Sequence, residues 1–229
     1  MSNVITICKL NISLLLEDKL SFFWSLGLPS IMLFFNSRNI TTVYDLTYWW
    51  IYIVFNAFVY GVGLFALNEK DTGALSIIFS IKWIPVKFFF GLLLTQIIYS
   101  IICLTMFNLI PALFFNLNYI HLTVLSLITI IVVLPVAFIG YNITYLRNLY
   151  SSTVSSICNM VIFLFFVLIG IDTPVNYINP FIIIGDVMND LISGDFPLFY
   201  FLICIILIIV SIPSIIFFKP LSRESRWFC

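Results

Sequence analysis

The chain has 229 residues, of which 62% are hydrophobic and 9% charged, with ten basic and ten acidic side chains and a mean hydropathy of +1.18. A soluble fold needs roughly a quarter of its residues charged to cover its surface, so a water-soluble domain is excluded and most of the surface must face lipid. The net charge of zero conceals an uneven placement of basic residues, which sets the orientation below.

At the start, Val4, Ile7, Cys8, Ile12, Leu15 and Leu16 alternate with Lys9, Asn11, Ser13 and Glu17. That spacing puts the apolar side chains on one helical stripe, as in a helix lying in the membrane interface. Lys9, Glu17, Asp18 and Lys19 precede the first long apolar run, and the start is not read as a cleavable signal peptide. A membrane-spanning helix needs about 20 mostly apolar residues. Six stretches qualify, at about 20–36, 48–66, 86–110, 122–145, 153–171 and 198–218; Pro29 in the first is tolerable beside neighbouring helices. The expected fold is an all-α membrane protein with one domain over residues 1–229.

Six spans beginning inside place Lys9, Lys19, Lys70, Lys82, Lys87, Arg147, Lys219, Arg223 and Arg226 on the cytoplasmic side and only Arg38 outside. Basic residues favour the cytoplasmic face, so both termini are expected in the cytoplasm of a multi-pass protein. Tyr48, Trp49 and Trp50 at the outer start of span two, and Trp83 at the inner start of span three, suit aromatic interface belts. The five cysteines (Cys8, Cys103, Cys158, Cys204, Cys229) have no CxxC spacing and none falls in an expected external loop, so they read as small apolar packing residues rather than a disulfide or metal framework.

Two connections are more than reversals. The external segment 172–197 holds Asp172, Asp186, Asp190 and Asp195, and between Pro180 and Gly194 it reads as a short amphipathic helix with Phe181, Ile184, Val187, Met188 and Leu191 on one side. Such a helix lies at the outer interface or dips back in. The cytoplasmic segment 67–85 opens with Glu69-Lys70-Asp71-Thr72-Gly73 and continues as a mostly apolar helix from Ala74 to Trp83. Thr72 can cap that helix, and Gly73 can adopt a turn that a Cβ forbids. This charged elbow suits docking into a groove of a cytoplasmic partner, and it equally suits an ordinary charged connection between two helix ends.

No phosphate-binding loop occurs in the chain, and its single histidine, His121, cannot form a His-rich metal site. Asp186 and Asp190 read as a solvated acidic face rather than a catalytic pair. An intramembrane protease would need paired Glu or His ligands within the spans, and they contain none. Neither catalytic residues nor a metal site is expected, and nothing points to nucleic acid. Asn56, Gln96, Asn108, Asn142 and Asn159 put side-chain amides into hydrocarbon, where they bond to neighbouring helices or line a path through the membrane.

At the elbow the chain resembles the permease subunits of type-2 ABC exporters. In that family a Glu-basic-X-Thr-Gly run follows the second span and opens a coupling helix; Glu69, Lys70, Thr72 and Gly73 match it, and Pro85 before span three is similar to the family pattern. Asn179-Pro180-Phe181, with Asp186 and Gly194 beyond it, resembles the family's segment in the external hairpin between spans five and six. The interfacial start fits as well, so the resemblance covers essentially the whole chain, apart from an abbreviated first external loop at 37–47.

The resemblance implies a membrane subunit paired with a second permease copy, identical or paralogous, and with a separately encoded ATPase that contacts Glu69, Lys70, Asp71, Thr72 and Gly73. ATP and Mg would belong to that partner, and this chain would carry no cofactor. The small size and Ile/Phe/Asn-rich composition resemble members from low-GC Gram-positive bacteria that export amphipathic peptides such as bacteriocins or toxins. A lipid-like molecule, a hydrophobic drug, or a role as a non-transporting membrane partner (a sensor-complex subunit or a channel) remains an alternative.

Overall fold

The structure, a computed structural model, describes residues 2–17, 19–146 and 150–218. Arg147, Lys219, Arg223 and Arg226 of the orientation argument, together with Asp18 and Cys229, lie outside the described residues. All regular structure among the described residues is helical. Five helical stretches are long and apolar enough to cross a membrane: Val43–Asp71, Pro85–Phe114, Tyr119–Tyr145, Ser151–Gly170 and Leu198–Ile216. Large apolar side chains such as Met160, Leu164, Ile209 and Val210 stand exposed on the last two, as expected of surfaces solvated by lipid.

The chain begins with α1 (Ser2–Glu17) and α2 (Lys19–Phe35). At 17 residues α2 spans about 26 Å, a little short of the roughly 30 Å hydrocarbon core. It nevertheless runs beside α6 (Pro85–Phe114). The Ser25 hydroxyl meets the Tyr99 hydroxyl at 2.7 Å near the middle of α6, and the Phe34 ring sits edge-on to Phe114 at its far end, centroids 5.2 Å apart. At the near end α1 crosses α6 at Gly91, where a Cβ would come within 2.6 Å of Ile7.

The next membrane helix is α3 (Thr47–Phe58), a π-helical segment (Val59–Leu64) and α4 (Phe65–Asp71) in one continuous rod. Its start is fixed by Asp45, whose carboxylate accepts from the backbone amides of Thr41 at 2.8 Å and Thr42 at 2.7 Å. The rod extends past the expected end of this span, so Glu69, Lys70 and Asp71 form its last turn rather than a loop beyond it. Thr72 ends the rod and Gly73, at φ 78°, reverses the chain into α5 (Ala74–Ile81). The left-handed region costs a residue with a Cβ about 1–2 kcal/mol, which accounts for glycine here.

Pro85 at the first turn starts α6, and Asn118 caps α7 (Tyr119–Val133) by accepting from the amides of Ile120 and His121. Pro135 interrupts that span, which resumes as α8 (Pro135–Tyr141). At the break the Tyr200 hydroxyl of α11 (Leu198–Ile216) donates to the Val132 carbonyl at 2.7 Å, the kind of substitute bond that makes a proline break tolerable in a membrane. Between α9 (Ser151–Val167) and α11 comes α10 (Pro180–Ser193), which buries Phe181, Ile184, Val187 and Met188 and leaves Asp186 and Asp190 exposed, as its amphipathic pattern predicts.

The helices give the molecule two distinct ends. One gathers the end of α4, the end of α8 and the start of α9; the other carries α10, seated on the start of α3 and the end of α9.

Candidate functional site

Two features stand out: the elbow at one end and a cavity beside α3. At the elbow Lys70 is only 5% exposed, and its ammonium donates to the Thr144 carbonyl at 2.6 Å, beyond the end of α8. The Asp71 carboxylate accepts from the backbone amide of Ser151 at 2.9 Å and so caps α9 from another helix; the Ser151 hydroxyl meets Asn68 Oδ1 at 3.2 Å. Thr72 does not cap α5: its hydroxyl turns back to the Glu69 carbonyl at 3.2 Å. Ser76 closes the first turn of α5 instead, donating to the Gly73 carbonyl through its amide and its hydroxyl. Of the five residues, Thr72 is exposed and Glu69, Asp71 and Gly73 are half-buried.

The five span amides divide into two groups. Asn108 is fully buried; it accepts from the Trp50 indole N–H at 2.8 Å and donates to the Ser126 hydroxyl at 2.9 Å, tying α3, α6 and α7 together. Trp50 is therefore an interior residue and Trp49 is buried as well, against the interface role expected of both; Trp83 is exposed. Trp50 is displaced from the belt because its N–H finds a partner inside the bundle. Asn142 donates to the Ser211 hydroxyl of α11 at 3.1 Å.

Asn56, Gln96 and Asn159 instead line a cavity of about 650 Å³ bounded by α1, α2, α3 with its π segment, and α6, with Asn159 of α9 among its lining residues. Asn56 donates to the Tyr52 carbonyl one turn back at 2.8 Å. The Gln96 amide lies over Gly61, where any Cβ would strike it. Asn11 and Tyr60 also line the cavity, each with a buried polar atom that has no hydrogen-bond partner among the described residues. The described lining carries no charge. The π segment contributes Tyr60 and Gly61, and such departures from α geometry recur at functional sites. Sequence reasoning missed Asn11, though it stands in the apolar 4-8-11-15 row of α1, where a polar residue is out of place.

At the other end Asn179 is fully buried. Its Oδ1 accepts from the Phe181 amide at 3.0 Å to cap α10, and its Nδ2 donates to the Phe165 carbonyl of α9 at 2.8 Å. Pro180 supplies the first turn, and Phe181 enters an aromatic cluster with Tyr52, Phe55 and Phe166. The Asn-Pro-Phe run thus joins cap, helix start and anchor in three consecutive residues.

Comparison of the chain with known protein families, with curated proteins and with solved structures finds no match.

Proposed function

We propose that this chain is the membrane-spanning subunit of an ATP-driven exporter of the type-2 ABC kind, in the cell membrane, with α2 as the first of six spans and both ends in the cytoplasm. Its cargo is an amphipathic or hydrophobic peptide, and a second permease copy and a separate ATPase complete the transporter. The observation that carries this reading is the α4–Gly73–α5 elbow. It is a short helix turned sharply out of a spanning rod, at the end of the molecule opposite α10.

The bonds of Lys70 and Asp71 refine the expected division of labour. Both side chains are engaged with the protein's own backbone, so Glu69, Thr72 and α5 are left to meet the ATPase. Lys70 and Asp71 instead connect the elbow to the end of α8 and the start of α9. A push on α5 would thereby reach two further helices as a rigid body, in keeping with the rocking motions of transporters. The contacts of α2 with α6 at Ser25 and at Phe34 support the sixth span.

The test is purification of the tagged chain from its native membrane, with identification of any co-purifying ATPase. ATP-dependent uptake of a fluorescent amphipathic peptide into inside-out vesicles is then measured. Recovery of the chain without a nucleotide-binding subunit, together with no ATP-dependent uptake, would overturn the proposal.

A further inference from the structure

We infer that the cavity beside α3 is a binding site for an uncharged single-chain amphiphile: an aliphatic tail with a hydroxyl, ester or amide head. This assignment concerns occupancy of the cavity and does not depend on the exporter reading.

Its volume of about 650 Å³ falls within the range of small-molecule sites. The wall is chiefly apolar, in part aliphatic (Leu14, Leu28, Leu92) and in part aromatic (Tyr52, Phe65, Tyr99). Four polar groups are set into it with unused bonding capacity. Gln96 is 4% exposed and has no hydrogen-bond partner among the described residues. Among the described residues the Nδ2 of Asn11, itself 8% exposed, has no partner, and the buried Tyr60 hydroxyl has none either. Asn56 spends its nitrogen on Tyr52 and keeps its carbonyl oxygen as an acceptor.

A buried polar group without a partner costs about 1–3 kcal/mol. Two such groups around one space, Asn11 and Tyr60, with Gln96 beside them, call for an occupant that satisfies them. The set offers donors (Asn11, Gln96, Tyr60) and acceptors (Gln96, Asn56), which matches a head group holding both a carbonyl or ether oxygen and a hydroxyl or N–H. No described lining residue offers a counter-charge, so an ionic head would be desolvated without compensation. The apolar remainder of the wall, aliphatic and aromatic, suits a tail rather than a cluster of waters. Asn56 and Tyr99 stand near the midpoints of their spans, which places the site at the depth of lipid tails.

The experiment uses the full chain in nanodiscs with three photoreactive probes of equal chain length: a monoacylglycerol, a fatty acid anion and an alkylammonium. The monoacylglycerol should label peptides from α1, α3 and α6, and monoolein should compete it away. Gln96→Leu, close in volume, should weaken its capture about tenfold, the loss expected for one or two hydrogen bonds. Gly61→Leu, which drives a side chain into the cavity, should abolish it. Equal capture of all three probes, or capture confined to the lipid-facing surfaces of α9 and α11, would overturn the assignment. Preference for a charged probe would do the same. If Gln96→Leu fails to fold, the three-probe competition on the unaltered protein decides by itself.

Discussion

Lys70 and Thr144 are 74 positions apart in the chain, yet the Lys70 ammonium donates to the Thr144 carbonyl at 2.6 Å, in a place closed to solvent. That carbonyl belongs to the last turn of its span, where backbone acceptors lack helical partners. Lys70→Ala removes the donor and leaves the acceptor buried, a loss of about 1–3 kcal/mol. A lower melting temperature of the purified protein in detergent is expected, and an unchanged one would show that the bond contributes nothing to stability.

Asp71 separates a structural role from a docking role. Its carboxylate caps α9, so Asp71→Ala should cost about 0.5–2 kcal/mol, as for other lost helix caps, and Asp71→Asn less. In the exporter reading Asp71→Ala retains the ATPase but couples it poorly. Glu69→Lys combined with Gly73→Val instead releases it, since φ at Gly73 is 78° and the turn that presents α5 is strained by any Cβ. Pull-down of the ATPase alongside vesicle uptake distinguishes the two. Full association and full export by the double variant would sink the coupling role of the elbow.

Asp186 lies on the exposed face of α10, and burial, helped by the charge of Asp190, raises its pKa above the usual carboxylate value of 3.8. The folded state therefore holds the proton more tightly than the unfolded chain. The stability this contributes is present below pH 3.8 and is lost as pH rises through the folded pKa. Asp186→Asn should accordingly melt slightly higher than the unaltered protein at neutral pH. The gap should open through the acid range and then stay level, with a small size because solvent screens the site. A gap that closes on going from pH 4 to pH 7 would contradict the raised pKa.

Orientation rests on α2. In a background without the native cysteines, Arg38→Cys should react with a membrane-impermeant thiol reagent in intact cells. Lys9→Cys and Lys82→Cys should react only after lysis. Reaction at position 9 in intact cells would remove α2 as a span.

Much of this architecture is legible in the chain because lipid imposes long apolar runs, and α10 is legible because its apolar residues keep a helical period. The Asn179-Pro180 start and the Gly194 end are local signals, read within a few residues. Trp50, Lys70 and Asp71 were not legible in the same way. A tryptophan near a span end and charges beyond one look like interface residues until their partners Asn108, Thr144 and Ser151 are known, and those lie 58 to 80 positions away. The cavity was half legible: Asn56, Gln96 and Asn159 stood out as amides in apolar spans, but nothing local distinguishes them from Asn108 and Asn142, which are spent on helix contacts. Tyr60 and Gly61 belong to a π segment that hydropathy does not register.

That π segment has a consequence for phase. With bonds reaching five residues back instead of four, Val59–Leu64 acts as a one-residue insertion in an otherwise regular rod. Upstream, Trp50 is phased to meet Asn108; downstream, Lys70 is phased to meet Thr144, and Gly63 packs so closely on Gly140 that no Cβ fits between them. Deleting one residue between 59 and 64 would therefore restore an unbroken α-helix with both halves still facing their neighbours. Wound as α-helix with every residue kept, the rod would instead turn everything below the segment by about 100° against everything above, so only one half could keep its contacts.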